Sequence, residues 1–136
     1  MRPPEDVRAE ALRQWLRRAA EDLAVADQLL DAQTPYLVTV AFHAQQAAEK
    51  YLKALLVYHE VAFPRTHDLG ILLDLLRPVD GSRADALDDL TALNPYGVEV
   101  RYPQDAGDVT EEAAREAREM AARARDAVLG ALKGRA

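Results

Sequence analysis

Four polar side chains, His43, Gln46, Lys50 and Lys53, recur at i, i+3, i+7 and i+10 in a run free of glycine and internal proline from Tyr36 to Glu60. On a helix those positions share one stripe. The chemistry of such a set is definite: ammonium groups attract an anion, while His and Gln supply directional hydrogen bonds. Apolar residues recur on every face of the same run, the mark of a buried, central helix. Burying polar groups without partners is costly. The stripe is therefore expected to line a groove, a ligand site or a subunit interface. The competing expectation is structural: Lys50 paired with an acid on a neighbouring helix, Glu49 pairing on an adjacent face, and His43 satisfied inside the fold.

Two other places invite the same question. In Arg65-Thr66-His67-Asp68, Thr66 can cap a helix whose first turn begins at His67, and outward N–H groups there favour anions. Arg65 and His67 would then edge an anion pocket; the alternative is simple capping by Thr66 and Asp68, with His67 packed beneath. Arg101-Tyr102-Pro103 sits in a long connection, where function often resides. Arg101 can reach a phosphate or carboxylate and Tyr102 can stack or hydrogen-bond, or Arg101 can anchor the loop to an acid. No Ser-His-Asp pattern, phosphate-binding loop, dinucleotide fingerprint or metal motif is present. We assign no catalytic residue, no metal ligand and no cofactor from the residues.

Composition narrows the partners. The 136 residues make a single domain, 1–136, with ample material for a core. At 49% hydrophobic and 29% charged the chain reads as an ordinary globular protein. A formal charge of −6 argues against a general nucleic-acid coat, which needs clustered Lys and Arg. Without Cys there is no disulfide framework and no thiolate chemistry. No apolar run approaches the ~20 residues that span a bilayer, and the N-terminus lacks a signal peptide's apolar core. A cytoplasmic location and no membrane partner are expected.

The elements that must position these groups are helical. The first helix starts near Pro4 with Glu5 and Asp6 in its first turn; its stripe is Leu12, Leu16, Ala19, Leu23, Ala26 and Leu30, beside Trp15. Gln33-Thr34-Pro35 breaks it, and the central helix follows from Tyr36 to Glu60. A short helix begins at His67 and ends before Pro78. A fourth, capped by Ser82, runs through about Leu93, where Asn94-Pro95-Tyr96-Gly97 stops it. Val98 to Gly107 is an ordered extended loop, and Asp108 with Glu111 starts the last helix, whose stripe is Ala113, Ala117, Met120, Ala124, Val128 and Leu132. The fold class is all-α: an up-and-down helical bundle of three long and two short helices with an ordered loop before the last. The central helix has more apolar faces than a small bundle covers, so a homodimer is expected.

Phe42-His43-Ala44-Gln45-Gln46-Ala47-Ala48-Glu49-Lys50-Tyr51-Leu52-Lys53-Ala54-Leu55, then Arg65-Thr66-His67-Asp68-Leu69 and Leu72-Leu73, then Arg101-Tyr102-Pro103, resemble a HEPN domain. Trp15 and Ala20-Glu21-Asp22-Leu23-Ala24-Val25-Ala26 fit its first helix. The likeness is to the small stand-alone prokaryotic branch encoded beside a minimal nucleotidyltransferase, and it covers nearly the whole chain. It implies a helical bundle, commonly a homodimer, with a nucleotide or RNA ligand or a nucleotidyltransferase partner in a toxin–antitoxin-like pair. Many such proteins are metal-independent ribonucleases with an Arg followed four to six residues later by a His. Here no His follows Arg101, and His67 stands too close to Arg65. A non-catalytic binding module is therefore favoured over a divergent ribonuclease or a purely structural adaptor.

Overall fold

The computed structural model describes residues 4–97 and 109–134. The chain forms α1 (Pro4–Asp31), α2 (Leu37–Tyr58), α3 (Leu69–Leu76), α4 (Gly81–Ala86), a 3-10 helix (Asp88–Gly97) and α5 (Glu111–Lys133). This is the expected all-α bundle with three long helices. The expected extended loop, Val98 to Gly107, lies outside the described residues, as do Arg101, Tyr102 and Asp108. Among the described residues no helix is long and apolar enough to cross a membrane.

Both α1 and α2 end in the same device. Gln33 takes φ 55° and Glu60 φ 60°. At the end of α1, Thr34 N–H reaches Leu29 O at 3.1 Å and Gln33 N–H reaches Leu30 O at 3.0 Å; at the end of α2, Val61 reaches Leu56 at 2.9 Å and Glu60 reaches Val57 at 3.0 Å. These paired bonds satisfy terminal carbonyls and turn the chain back sharply. The turn after α1 folds α2 against it as a hairpin, and α5 packs on α2 and also reaches α1, where Arg118 pairs with Asp27.

The short elements start and stop differently from the expectation. Asp68, not Thr66, is the N-cap of α3: its carboxylate accepts Gly70 N–H, while Thr66 Oγ1 accepts Asp68 N–H at 3.0 Å. His67 therefore precedes the helix rather than standing in its first turn. Ser82 does not cap α4, because Asp80 occupies that position and gives no side-chain cap. The Asp80 carboxylate is taken by His59 Nε2 at 3.1 Å and Arg83 Nη1 at 3.0 Å. Burial pushes its pKa up, but those two hydrogen bonds prevail and hold it below the usual carboxylate value. The helical path does not stop at Leu93 either; it tightens to 3-10 and carries Pro95 to Gly97. Asn94 is held rather than breaking the chain, since its Oδ1 accepts Leu69 N–H at 2.9 Å at an otherwise unpaired helix start. Thr110 caps α5, accepting Ala113 N–H.

The apolar face of α5 is also rotated from the expected one. Ala114, Ala117, Ala121, Ala124, Val128 and Ala131 are buried, whereas Met120 and Leu132 are only partly so. Spacings of three and four alternate along that set, which makes a narrow seam against a straight partner. The partner is α2, where Ala41, Ala44, Ala47, Ala48 and Ala54 are all fully buried. Small side chains let the two backbones approach closely. With α1, α3 and the 3-10 helix packed on it too, no residue of α2 from Val40 to Leu56 is exposed. The surplus apolar surface anticipated on α2 is not there: one chain covers it. The exposed large apolar residues nearest that helix's start are Tyr36 and Val38.

Candidate functional site

The same three-part cluster is built twice along α2. In the first, Asp22 of α1 accepts His43 Nδ1–H at 2.9 Å on one oxygen and Lys50 Nζ–H at 2.5 Å on the other. In the second, Glu49 accepts His67 Nδ1–H at 2.8 Å on one oxygen and Lys53 Nζ–H at 3.1 Å on the other. Each is a lysine, a carboxylate and a histidine in sequence. An ionised carboxylate only accepts hydrogen bonds, so Nδ1 of each imidazole carries the proton and Nε2 remains its second hydrogen-bonding atom. Glu49 and Lys50 are chain neighbours, so the two clusters stand side by side on adjoining faces of one helix.

Burial separates their roles. The Glu49 and Lys53 side chains are only 3% and 8% exposed. Lys53 Nζ lies 5.3 Å from the Trp15 ring centroid and 5.8 Å from that of Phe63. Those rings meet edge-on at 6.1 Å, and the ammonium gains from both π faces. Lys53 is thus an internal group, paired with Glu49 and covered by two aromatic rings. His43 and Lys50 are about a quarter exposed, and Gln46 between them is half-buried. In the first cluster both the ammonium and the imidazole thus reach the surface in part, whereas in the second only the His67 ring does.

The remaining candidates divide as follows. Arg65 is exposed, and His67 covers Glu49 while standing 72% exposed itself. Asp68 is occupied structurally: its Oδ1 accepts Gly70 N–H at 2.8 Å and Asn94 Nδ2–H at 3.2 Å. Arg101 and Tyr102 fall outside the described residues.

Three residues carry this arrangement without having been singled out as site residues: Asp22, Gln45 and Glu49. Gln45 is fully buried, and its Nε2 donates to His67 O at 3.2 Å and more weakly to Glu49 Oε1 at 3.5 Å. Two acceptors on that side fix which end of the amide is nitrogen. Its Oε1 has no partner among the described residues. A signal for all three was available. Asp22 lies three residues after Ala19 and four before Ala26, on the edge of the α1 apolar stripe, and Gln45 and Glu49 fall in the column of Ala41, Leu52 and Leu56. An acid or amide inside an apolar column demands a partner.

The described residues form an all-α bundle whose central helix carries two Lys–carboxylate–His clusters. The chain belongs to the HEPN domain family, whose model matches residues 12–131. Comparison with curated proteins gives no match, and comparison with solved structures gives none.

Proposed function

We propose that this chain is a non-catalytic, homodimeric HEPN module that binds a nucleotide or RNA-like ligand, in the setting of a nucleotidyltransferase partner and a toxin–antitoxin-like pair. One observation carries the non-catalytic part: Arg101 is followed by no histidine anywhere in the chain. The proton-transfer group of the family's ribonuclease motif is therefore missing. Family membership supports a nucleotide- or RNA-related role, and the open cluster of His43, Gln46 and Lys50 supports the place. Lys50 spends one N–H on Asp22 and keeps two for a phosphate, while His43 Nε2 and the Gln46 amide add directional bonds. His67, exposed, stands over Glu49 on the adjoining face, and Arg65 two residues before it is exposed as well.

Calorimetric titration with ATP beside a cleavage assay on single-stranded RNA and tRNA tests this reading. ATP binds weakly, and Lys50→Ala weakens it about ten-fold, since a hydrogen bond to a charged group contributes about 1.5–3 kcal/mol. The melting point of that variant moves by only a few degrees, because Asp22 keeps its hydrogen bond from His43 when Lys50 is removed. Neither RNA is cleaved above background. No ATP binding by the parent, with a large loss of stability in Lys50→Ala, would make the cluster purely structural. A second reading, a divergent ribonuclease, draws on the two imidazoles whose Nδ1 atoms are fixed by carboxylates and whose Nε2 atoms are available as bases. Cleavage that disappears in His43→Ala or Arg101→Ala would establish it in place of the first.

The homodimer is proposed on family grounds, since α2 has no uncovered apolar face of its own. Light scattering over a concentration series should give twice the 15.0 kDa chain mass; a monomer at every concentration would refute it.

A further inference from the structure

A second, unrelated recess lies at the other end of the α1–α2 hairpin. The first three turns of α1 and residues 58–60 at the end of α2 border an open cleft of about 630 Å³, and none of the cluster residues described above lines it. Ala9, Leu12 and Tyr58 give it apolar walls. Arg8 spans it, with Nη1 at 2.6 Å from Glu60 Oε1. His59 lines it as well, and this ring is fixed: Nε2 donates to Asp80, whose same oxygen also holds Arg83, and Arg83 Nε is tied to Ala127 O at 3.1 Å. Nδ1 is therefore the hydrogen-bonding atom that ring still has to offer.

Arg13 lies at the cleft edge, exposed, with no ion pair among the described residues. It contrasts with Arg115, Arg118, Arg123 and Arg125 on α5, each of which holds an acid. The acids of the cleft do not cancel it. Glu60 is already matched by Arg8, and Glu5 stands eight residues away along α1, about 12 Å at helical rise. A forked, permanently charged donor beside apolar walls suits a carboxylate or phosphate head on an apolar body.

We propose that this cleft binds a small amphipathic anion, its carboxylate or phosphate on Arg13 and its apolar part against Leu12 and Tyr58. This site is independent of the nucleotide reading and does not stand or fall with it. Amide chemical shifts of the intact protein are followed during titration with phenyl phosphate, benzoate and neutral benzyl alcohol. At least one anion is expected to shift amides within residues 5–13 and 58–60, with affinity at least ten-fold above that of benzyl alcohol. Preference between the two anions identifies the head group. Arg13→Glu, on an exposed position, weakens binding at least ten-fold with an unchanged melting point, and Ala9→Trp blocks the cleft. Benzyl alcohol binding as tightly as both anions, shifts centred elsewhere, or an unaltered affinity in Arg13→Glu would each overturn the proposal. If Ala9→Trp does not fold, the Arg13→Glu result decides alone.

Discussion

The Glu49→Ala variant is expected to melt about 10–20 °C below the parent. Removing one partner of a buried ion pair strands the other, at a cost of about 3–5 kcal/mol. For a chain of this length each kcal/mol moves the midpoint by roughly 3–5 °C. Glu49 and Lys53 meet the condition, being 3% and 8% exposed. Trp15 and Phe63 soften the loss by facing the ammonium but offer it no acceptor. His67 loses its anchor too, yet at 72% exposure water replaces it cheaply. The control is the double variant Glu49→Met with Lys53→Met, which removes both charges and keeps similar volume. It should regain most of the stability, because a well-packed apolar pair is often as good as a buried ion pair. A double variant no more stable than Glu49→Ala would show that the cluster is held by something other than charge matching.

The second large effect comes from one methyl group. A Cβ added to Gly97 would lie 2.9 Å from both Cδ and Nε2 of Gln45 and 3.1 Å from Oε1. A surface amide would swing away. This one is fully buried and fastened to His67 O, so the 3-10 helix or the amide must shift. Gly97→Ala should cost about 1–3 kcal/mol, the usual range for overpacking. Made in a Gln45→Ala background, the same substitution should cost little, and a double-mutant cycle by denaturant melts measures the coupling. Equal costs in the two backgrounds would mean that Gly97 is needed for backbone reasons instead.

Much of this architecture is written in periodicity. Of the expected α1 stripe, Ala19, Leu23, Ala26 and Leu30 are buried and Leu12 and Leu16 are partly so, and α2 runs almost over its expected length. Local caps were less legible, because they depend on partners distant in sequence. Asp80 fits a cap by type, but His59, twenty-one residues earlier, claims its carboxylate. Asn94-Pro95 fits a stop by type, but Asn94 is held by α3 across twenty-five residues. The site shows the same division. Spacing correctly aligned His43, Gln46 and Lys50 on one helix face, and pairing of Lys50 with an acid on a neighbouring helix was one of the two expectations. Which acid it would be, and that Lys53 turns inward while Lys50 stays about a quarter exposed, depends on where α1 and the aromatic pair lie in space.

The alanine seam has a consequence for the order in which the molecule opens. A buried alanine withdraws little more than a methyl group from water, about 0.8 kcal/mol, and five of the six seam positions on α5 are alanine. Elsewhere the same core is leucine: Leu69, Leu72, Leu73 and Leu76 of α3 and Leu52, Leu55 and Leu56 of α2 are all buried in it. Per turn, α5 is therefore held more weakly than its length suggests, and by close fit more than by mass of hydrocarbon. Such an element can detach as a unit while the α1–α2 hairpin and its leucine cluster stay folded. Detachment of α5 would uncover Ala44, Ala47 and Ala54 of α2 together with Tyr51 and Leu55, all buried in the closed fold, and newly exposed apolar surface of that kind favours association.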